Sequence, residues 1–258
     1  MQNKSNSKLE PVRSLWIGAE LPTAQSACLR SFLRVGHSVE LFCYSKIEGL
    51  PAGIIVRDAR EVLSEDQIFA YGASAGAGEG SFSAFSNIFR YKLLQELGGY
   101  WVDTDMFCVK PLPISTIVVA SERNEFKEIT AATCVLKFPR HHPAIKFCLT
   151  EALKCNRQTL TWGKIGPELV HRALVKFNML NRLSHPEEFC PINWTEYEQL
   201  NENFKWLGVP SAVHLWNESW RRSKKEIPYP GVPNSIINKL SLMLEDSSND
   251  LLNGNEIS

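Results

Sequence analysis

The most constraining stretch of this sequence lies between residues 84 and 105. Phe85, Phe89, Leu93, Leu94 and Leu97 recur at helical spacing, so one apolar face is expected over residues 84–97. Gly98-Gly99 stops that helix, and Tyr100-Trp101-Val102 then reads as a short aromatic, β-branched strand. The strand delivers Asp103-Thr104-Asp105 at its carboxyl end. Ligands of open α/β sheets bind outside the carboxyl ends of the strands, so the acidic pair stands where a site is expected.

The first sixty residues point to the same class. A strand is expected at 14–18, a turn at Leu21-Pro22, and a helix from Thr23, as its N-cap, to about Arg34 with Gly36 as its stop. Strands follow at 39–44 and 54–56, separated by a Gly- and Pro-containing turn at 49–53. This alternation predicts an α/β domain with a largely parallel sheet. Further on, strands are expected at 116–120, 129–137 and 212–215, and helices at 143–153 and 167–177. Residues 1–12 read as a flexible lead-in and 13–230 as a single domain. The Asp-, Asn- and Ser-rich residues 247–258 read as a disordered tail.

Composition removes several functions. Lys+Arg and Asp+Glu both number 28, so the formal net charge is zero and there is no basic excess for nucleic acid. No apolar run approaches the ~20 residues of a membrane span, and the polar start lacks a signal-peptide core. A soluble, cytoplasmic protein is the expectation, with peripheral membrane contact open through the basic run Arg221, Arg222, Lys224 and Lys225, for which a solvated face is the plainer reading. The seven cysteines contain no C-x-x-C pair, which predicts reduced thiols and no structural zinc.

Two carboxylates two residues apart at a strand end can face one point, where they repel unless a cation joins them. Hard cations such as Mn²⁺ or Mg²⁺ take oxygen ligands and bridge to phosphates, so Asp103 and Asp105 suggest a metal–diphosphate site. An exposed acidic turn is the plain alternative. The Gly-rich residues 72–83 lack the Gly-Lys-Ser/Thr of a Walker loop and read as a surface loop beside a site. His141-His142-Pro143 reads as a helix lead-in.

The run from Phe85 to Asp105, with Asn87, Arg90, Gly98-Gly99, the aromatic strand and Asp103-Thr104-Asp105, resembles the signature of the Asp-x-Asp sugar transferases of the GT-A fold. It is most similar to the glycosyltransferase family 32-like group and the catalytic domains of large glucosylating toxins. Leu15-Trp16-Ile17-Gly18 resembles that family's first strand, and His214-Leu215-Trp216-Asn217-Glu218-Ser219-Trp220 its C-terminal segment. The resemblance implies a Rossmann-like, mixed but mostly parallel sheet flanked by helices. It also implies retaining transfer from a nucleoside-diphosphate sugar to a glycan or lipid-linked acceptor, as in bacterial surface polysaccharide synthesis.

By the same resemblance, Asp105 chelates Mn²⁺ or Mg²⁺, and Asp103 contacts the ribose and, directly or through water, the metal. Arg90 holds the donor sugar or phosphate; an ion pair with Glu96 is its alternative. Trp16 stacks on the base beside Ile17, Trp220 closes over the donor, and His214 and Asn217 complete the metal or diphosphate shell. Gly163 to Pro167 lie near the acceptor. Asn87 stands where the family usually has Asp, which keeps an acceptor but loses a charge. Two other readings stay open: a non-catalytic carbohydrate or nucleotide binder with a decayed site, and a phosphohydrolase with Asp103 as nucleophile and Asp105 as acid/base.

Overall fold

A computed structural model describes residues 9–203 and 208–252. In chain order the elements are β1 (Val12–Trp16), α1 (Thr23–Arg34), β2 (Val39–Cys43), β3 (Ile54–Asp58), α2 (Ser83–Leu97), β4 (Gly99–Val102) and β5 (Met106–Cys108). They continue with β6 (Val118–Arg123), β7 (Ile129–Phe138), α3 (Pro143–Leu153), α4 (Pro167–Lys176), β8 (Ala212–His214), α5 (Asn217–Arg222) and α6 (Ile236–Leu252).

Six strands form one sheet in the order β3-β2-β1-β4-β7-β6. The pairs β1–β2, β2–β3 and β1–β4 are parallel, while β4–β7 and β6–β7 are antiparallel. This is the mixed, mostly parallel, helix-flanked sheet expected from the sequence. Both faces are covered. On one side Tyr100 and Val102 pack with Leu29 and Phe32 of α1 and with Ile236, Ile237 and Leu240 of α6. On the other, Trp101 packs with Phe85 and Phe89 of α2, Ile145 of α3 and Leu169 of α4. The two-residue period of a strand explains why these neighbours in β4 serve opposite layers.

The strand period also aims the site. Asp103 follows β4 on the same side as Trp101, towards α2, and the backbone turns at once, with Met106 N–H donating to Asp103 O at 3.1 Å. After the turn, β5 leaves the main sheet and pairs antiparallel with β8, matching Met106 to His214 and Cys108 to Ala212.

Several expectations change. The first strand begins at Val12, which is fully buried and pairs with Val39 and Tyr100, so the expected lead-in of 1–12 overlaps it; residues 1–8 lie outside the described residues. Thr23 is the first helical residue rather than the cap, and Pro22 takes the cap position without a side-chain bond. The packed unit extends past residue 230, because α6 buries Ile236, Ile237, Leu240 and Leu244 in the core. The expected tail of 247–258 overlaps the end of α6, and its last six residues lie outside the described ones. Among the described residues, no helix is long and apolar enough to cross a membrane.

The glycine stop between α2 and β4 is conformationally demanding. Gly98 has φ 63° and ψ −162°, a region open almost only to glycine. A Cβ there would stand 2.6 Å from Arg140 N and 3.0 Å from Phe138 O. At Gly99 the added atom would meet the movable end of Arg13 at 2.9 Å. Gly98→Ala is therefore expected to cost roughly 2–4 kcal/mol in chemical denaturation, and Gly99→Ala less; equal losses would contradict this account.

Candidate active site

The carboxyl end of β4 opens into a cavity of about 1030 Å³. Ligand pockets run to ~300–1,000 Å³, so this one has room for a large ligand or two adjacent ones. Trp16, Ile17, Asn87, Arg90, Asp103, Asp105, His214 and Asn217 all line it.

Arg90, on the buried face of α2, reaches the first aspartate. Its Nη2 donates to Asp103 Oδ1 at 2.7 Å, and the Trp101 indole N–H donates to the same oxygen at 2.7 Å. Glu96, the alternative partner, pairs instead with Lys92. Asn87 is nearly buried, and its Oδ1 accepts from Arg90 Nη1 at 2.9 Å. Gly166 makes room for it: a Cβ there would sit 2.9 Å from Asn87 Nδ2. Arg90 Nε is buried without a hydrogen-bond partner among the described residues.

The second aspartate faces the short β5–β8 sheet. Asp105 Oδ2 lies 3.3 Å from His214 Nε2 and accepts the Asn217 backbone N–H at 2.9 Å. Leu215 N–H donates to Asp105 O at 2.9 Å, so the two chain segments are tied at backbone level too. Trp216 adopts a left-handed backbone (φ 56°, ψ 45°), rare for a bulky residue, and stacks on His214 with ring centroids 3.8 Å apart. Its indole donates to Ile192 O. This turn fixes the imidazole plane before α5 begins.

Burial and the neighbouring Asp105 charge push the Asp103 carboxyl above its usual range, against the pull of Arg90. Burial acts the same way on Asp105, but His214 and the Asn217 N–H outweigh it and hold that carboxyl low. His214 is the converse: burial disfavours its cation, yet Asp105 and the Cys134 thiol raise it well above the ordinary range.

One oxygen or nitrogen from each of Asp103, Asp105 and His214 falls within 4.8 Å of the others. Two carboxylates and an imidazole suit a divalent cation of the Mn²⁺, Mg²⁺ or Zn²⁺ kind, so these residues fit the metal expected here. Asn217 offers its side-chain oxygen, but that atom accepts from Gln25 Nε2 at 2.9 Å.

Trp220, expected to close over the donor, is not among the residues lining the cavity. It is 5% exposed, sits in the core beside Tyr197, and donates its indole N–H to Leu215 O. The helical turn of α5 points it inward, where only its burial, invisible in the sequence, decides its role. The basic run is also not a plain solvated face. Arg221 and Arg222 line the cavity and pair with Glu218, and Arg222 lies 3.6 Å over the Trp162 ring. Lys225 pairs with Glu198 on the outside. Gly80 to Ser83 and Gly163 with Pro167 line the cavity as expected of loops beside a site.

Sequence reasoning did not find Glu122, Thr130, Trp162, His171, Arg172 or Glu218, all of which face the cavity. They come from β6, β7, the segment before α4, α4 itself and α5, and carry no local spacing signal; Thr130 and His171 meet only through the packing of β7 on α4, at 3.3 Å.

The family described as "Glycosyltransferase sugar-binding region containing DXD motif" matches residues 58–127, the segment holding Asn87, Arg90, Asp103 and Asp105. This part of the chain is similar to that sugar-binding region, in agreement with the resemblance read from the sequence. Among curated relatives, the chain is 24% identical over 178 residues to an alpha-1,4-N-acetylglucosaminyltransferase of Homo sapiens, covering 62% of this chain and 51% of the relative. It is 24% identical over 205 residues to a lactosylceramide 4-alpha-galactosyltransferase of Homo sapiens, covering 72% and 55%. The chain thus spans about half the length of the curated relatives it matches. Loose structural likenesses include the PaToxG glycosyltransferase (TM-score 0.45, 16% identity, 66% of this chain and 72% of that one). Another is apo GlyE of Streptococcus pneumoniae TIGR4 (TM-score 0.46, 9% identity, 94% and 64%).

The assignment of Trp220 to the core has a direct consequence. Trp220→Ala is expected to lower stability by roughly 3–5 kcal/mol in denaturant titration. A loss below ~1 kcal/mol would return Trp220 to the surface.

Proposed function

We propose that this protein is a metal-dependent, retaining glycosyltransferase that moves a sugar from a nucleoside-diphosphate sugar to a hydroxyl of a glycan or lipid-linked acceptor. The observation that carries this reading is the meeting of Asp103, Asp105 and Arg90, all within the matched sugar-binding region, with His214 in one large cavity. Two relatives are named for N-acetylglucosaminyl and galactosyl transfer, which favours a hexose-type donor sugar here too. The transferase unit comprises 13–230 together with β1 from Val12 and the α6 buttress. The setting we assign is surface-glycan synthesis in the cytoplasm or at the inner membrane face, which rests on the sequence resemblance.

Asp103, Asp105 and His214 would hold Mn²⁺ or Mg²⁺, and such an ion supplies Lewis-acid stabilisation to a departing diphosphate. The chain's own contribution is charge and position. Arg90 is held from two sides, by Asp103 and Asn87, so little ordering is left to accomplish when charge develops on the leaving oxygen. Asn87 supports this role without adding a second negative charge beside the guanidinium, so Arg90 keeps more net charge for phosphate than an Asp would leave it. Trp16 donates its indole N–H to Glu20 O at 2.9 Å, which fixes the ring at the cavity wall where a nucleotide base can stack.

Glu122 is a cavity carboxylate on β6. Burial and the neighbouring Cys134 push it up to about 8, so it is mostly neutral at pH 7 and a poor nucleophile. That argues against Glu122 as the nucleophile of a covalent glycosyl-enzyme, and we assign a front-face reaction, in which the leaving phosphate oxygen takes the acceptor proton. The decayed-binder reading rests on Asn87, whose bond to Arg90 gives it a supporting role instead.

Purified protein incubated with a panel of nucleotide sugars and Mn²⁺ is expected to release the nucleoside diphosphate from one donor, and EDTA to stop it. Asp105→Asn should cut that turnover at least ~100-fold, the size of several kcal/mol of lost charge stabilisation, with the fold intact by circular dichroism. Near-normal activity in this variant would remove Asp105 from the metal site. Trp16→Ala should weaken binding of the cognate nucleotide by about tenfold, and product NMR should show the donor's anomeric configuration kept. Inversion would rule out the retaining route.

A further inference from the structure

Behind the acidic pair lies a second constellation that the proposed sugar transfer does not use. Cys134 on β7, Cys190 after the 3-10 turn Pro186–Glu188, and His214 at the end of β8 are all buried or nearly so. Cys134 Sγ stands 3.7 Å from Cys190 Sγ, and Cys190 Sγ 4.0 Å from His214 Nδ1. The three ligand atoms lie within 4.8 Å of one another. Both thiols are free.

These separations match those of a metal site. Two thiolates on one tetrahedral Zn²⁺, each at ~2.3 Å, stand about 3.8 Å apart, and a thiolate and an imidazole nitrogen about 3.6 Å apart. The sulfur pair is already at that spacing, and His214 Nδ1 is within a few tenths of an ångström of it from Cys190 Sγ. The second nitrogen is placed as well. A metal-bound histidine usually gives its other N–H to a carboxylate, which fixes tautomer and ring plane; here His214 Nε2 faces Asp105 Oδ2 at 3.3 Å. The ring is further held by Trp216. The backbone locks the frame: Asp103 N–H donates to Cys134 O at 2.8 Å, and His214 N–H to Phe189 O at 3.0 Å. Cys134 and His214 both line the large cavity, which provides an ion with a way in.

The geometry points to a soft-metal site, with Cys134 Sγ, Cys190 Sγ and His214 Nδ1 as ligands for Zn²⁺, distinct from the hard-cation site at Asp103 and Asp105. Binding sends the two thiol protons, and the Nδ1 proton where present, to solvent. The resulting unit of Zn²⁺, two thiolates and a neutral imidazole carries no net charge, which suits a buried position. Thiolate ligands select Zn²⁺ over Mn²⁺ or Mg²⁺, so the two sites discriminate by ligand type. One consequence rests on the transferase reading. An ion on Nδ1 keeps Nε2 protonated and donated to Asp105, so His214 cannot also serve a cation between the aspartates. Zn²⁺ at this site therefore antagonises the Mn²⁺-dependent reaction.

The test is a titration of the full chain, kept reduced with a phosphine, with Co²⁺ as spectroscopic probe for Zn²⁺. One equivalent should produce thiolate-to-Co²⁺ charge-transfer absorption, which excess Mn²⁺ leaves in place and one equivalent of Zn²⁺ removes. Cys134→Ser and Cys190→Ser should each abolish the band and weaken Zn²⁺ binding at least ~100-fold, while Cys155→Ser, outside the cluster, should keep both. Circular dichroism identifies any variant that fails to fold, and the pair of variants covers loss of one. Absence of a thiolate band, or a band surviving in folded Cys134→Ser and Cys190→Ser, overturns the site. In turnover, stoichiometric Zn²⁺ should inhibit the wild type and spare Cys190→Ser. A cobalt band in a protein that turns over no donor upholds this site and removes the transferase reading instead.

Discussion

The antiparallel pairing of Met106–Cys108 with Ala212–His214 is the interaction on which the site depends. It joins the strand leaving the acidic pair to a segment more than a hundred residues away. Because Met106 pairs with His214, the imidazole is set beside Asp105 and the Leu215 N–H on the Asp105 carbonyl. Phe107, Val213 and Leu215 back this junction from the core while its other side faces the cavity. There Asp105 and His214 stabilise each other's charged forms, where burial alone would push each towards neutrality.

A second set of contacts shapes the mouth of the cavity. Glu218 at the start of α5 pairs with Arg221 and Arg222 and accepts from Ser81 Oγ at 3.2 Å, while Arg221 donates to Glu79 O at 3.2 Å. Arg222 stacks on Trp162, whose ring lies where a Cβ on Gly78 would come within 2.3 Å. The Gly-rich segment, the segment before α4 and α5 thus meet over the cavity. Glycine at position 78 is required by space, since any side chain there would strike the ring.

Most of the fold was legible before the structure. The bounds of α1 and α3 follow from helical apolar spacing bounded by Pro22, Gly36 and Pro143. All strands but β5 were found within about three residues, because β-branched and aromatic runs between turn residues mark buried strands. What escaped was short or pattern-poor. Three-residue β5 gives no period to read, and six-residue α5 is capped by a left-handed Trp216 that nothing local announces. The longer α6 stood in a region left without an assignment up to 246 and read as a tail from 247, although Ile236, Ile237, Leu240 and Leu244 have helical spacing and fill the core. Of the expected site residues, Trp220 alone was carried by resemblance to a position the packing does not support.

The sequence by itself determined the α/β class, the helix–glycine–strand frame that presents Asp103 and Asp105, and the candidacy of Arg90. These are set by local periodicity and by the conformational freedom of Gly98-Gly99, which act over a few residues. Only the tertiary structure decided which distant groups share the site. His214 reaches Asp105 through β5–β8 pairing, Arg90 takes Asp103 rather than Glu96, and Cys134 meets Cys190 and His214 across three separate segments. Such meetings depend on long-range packing, and the spacing of residues along the chain holds no record of which buried surfaces will close on one another.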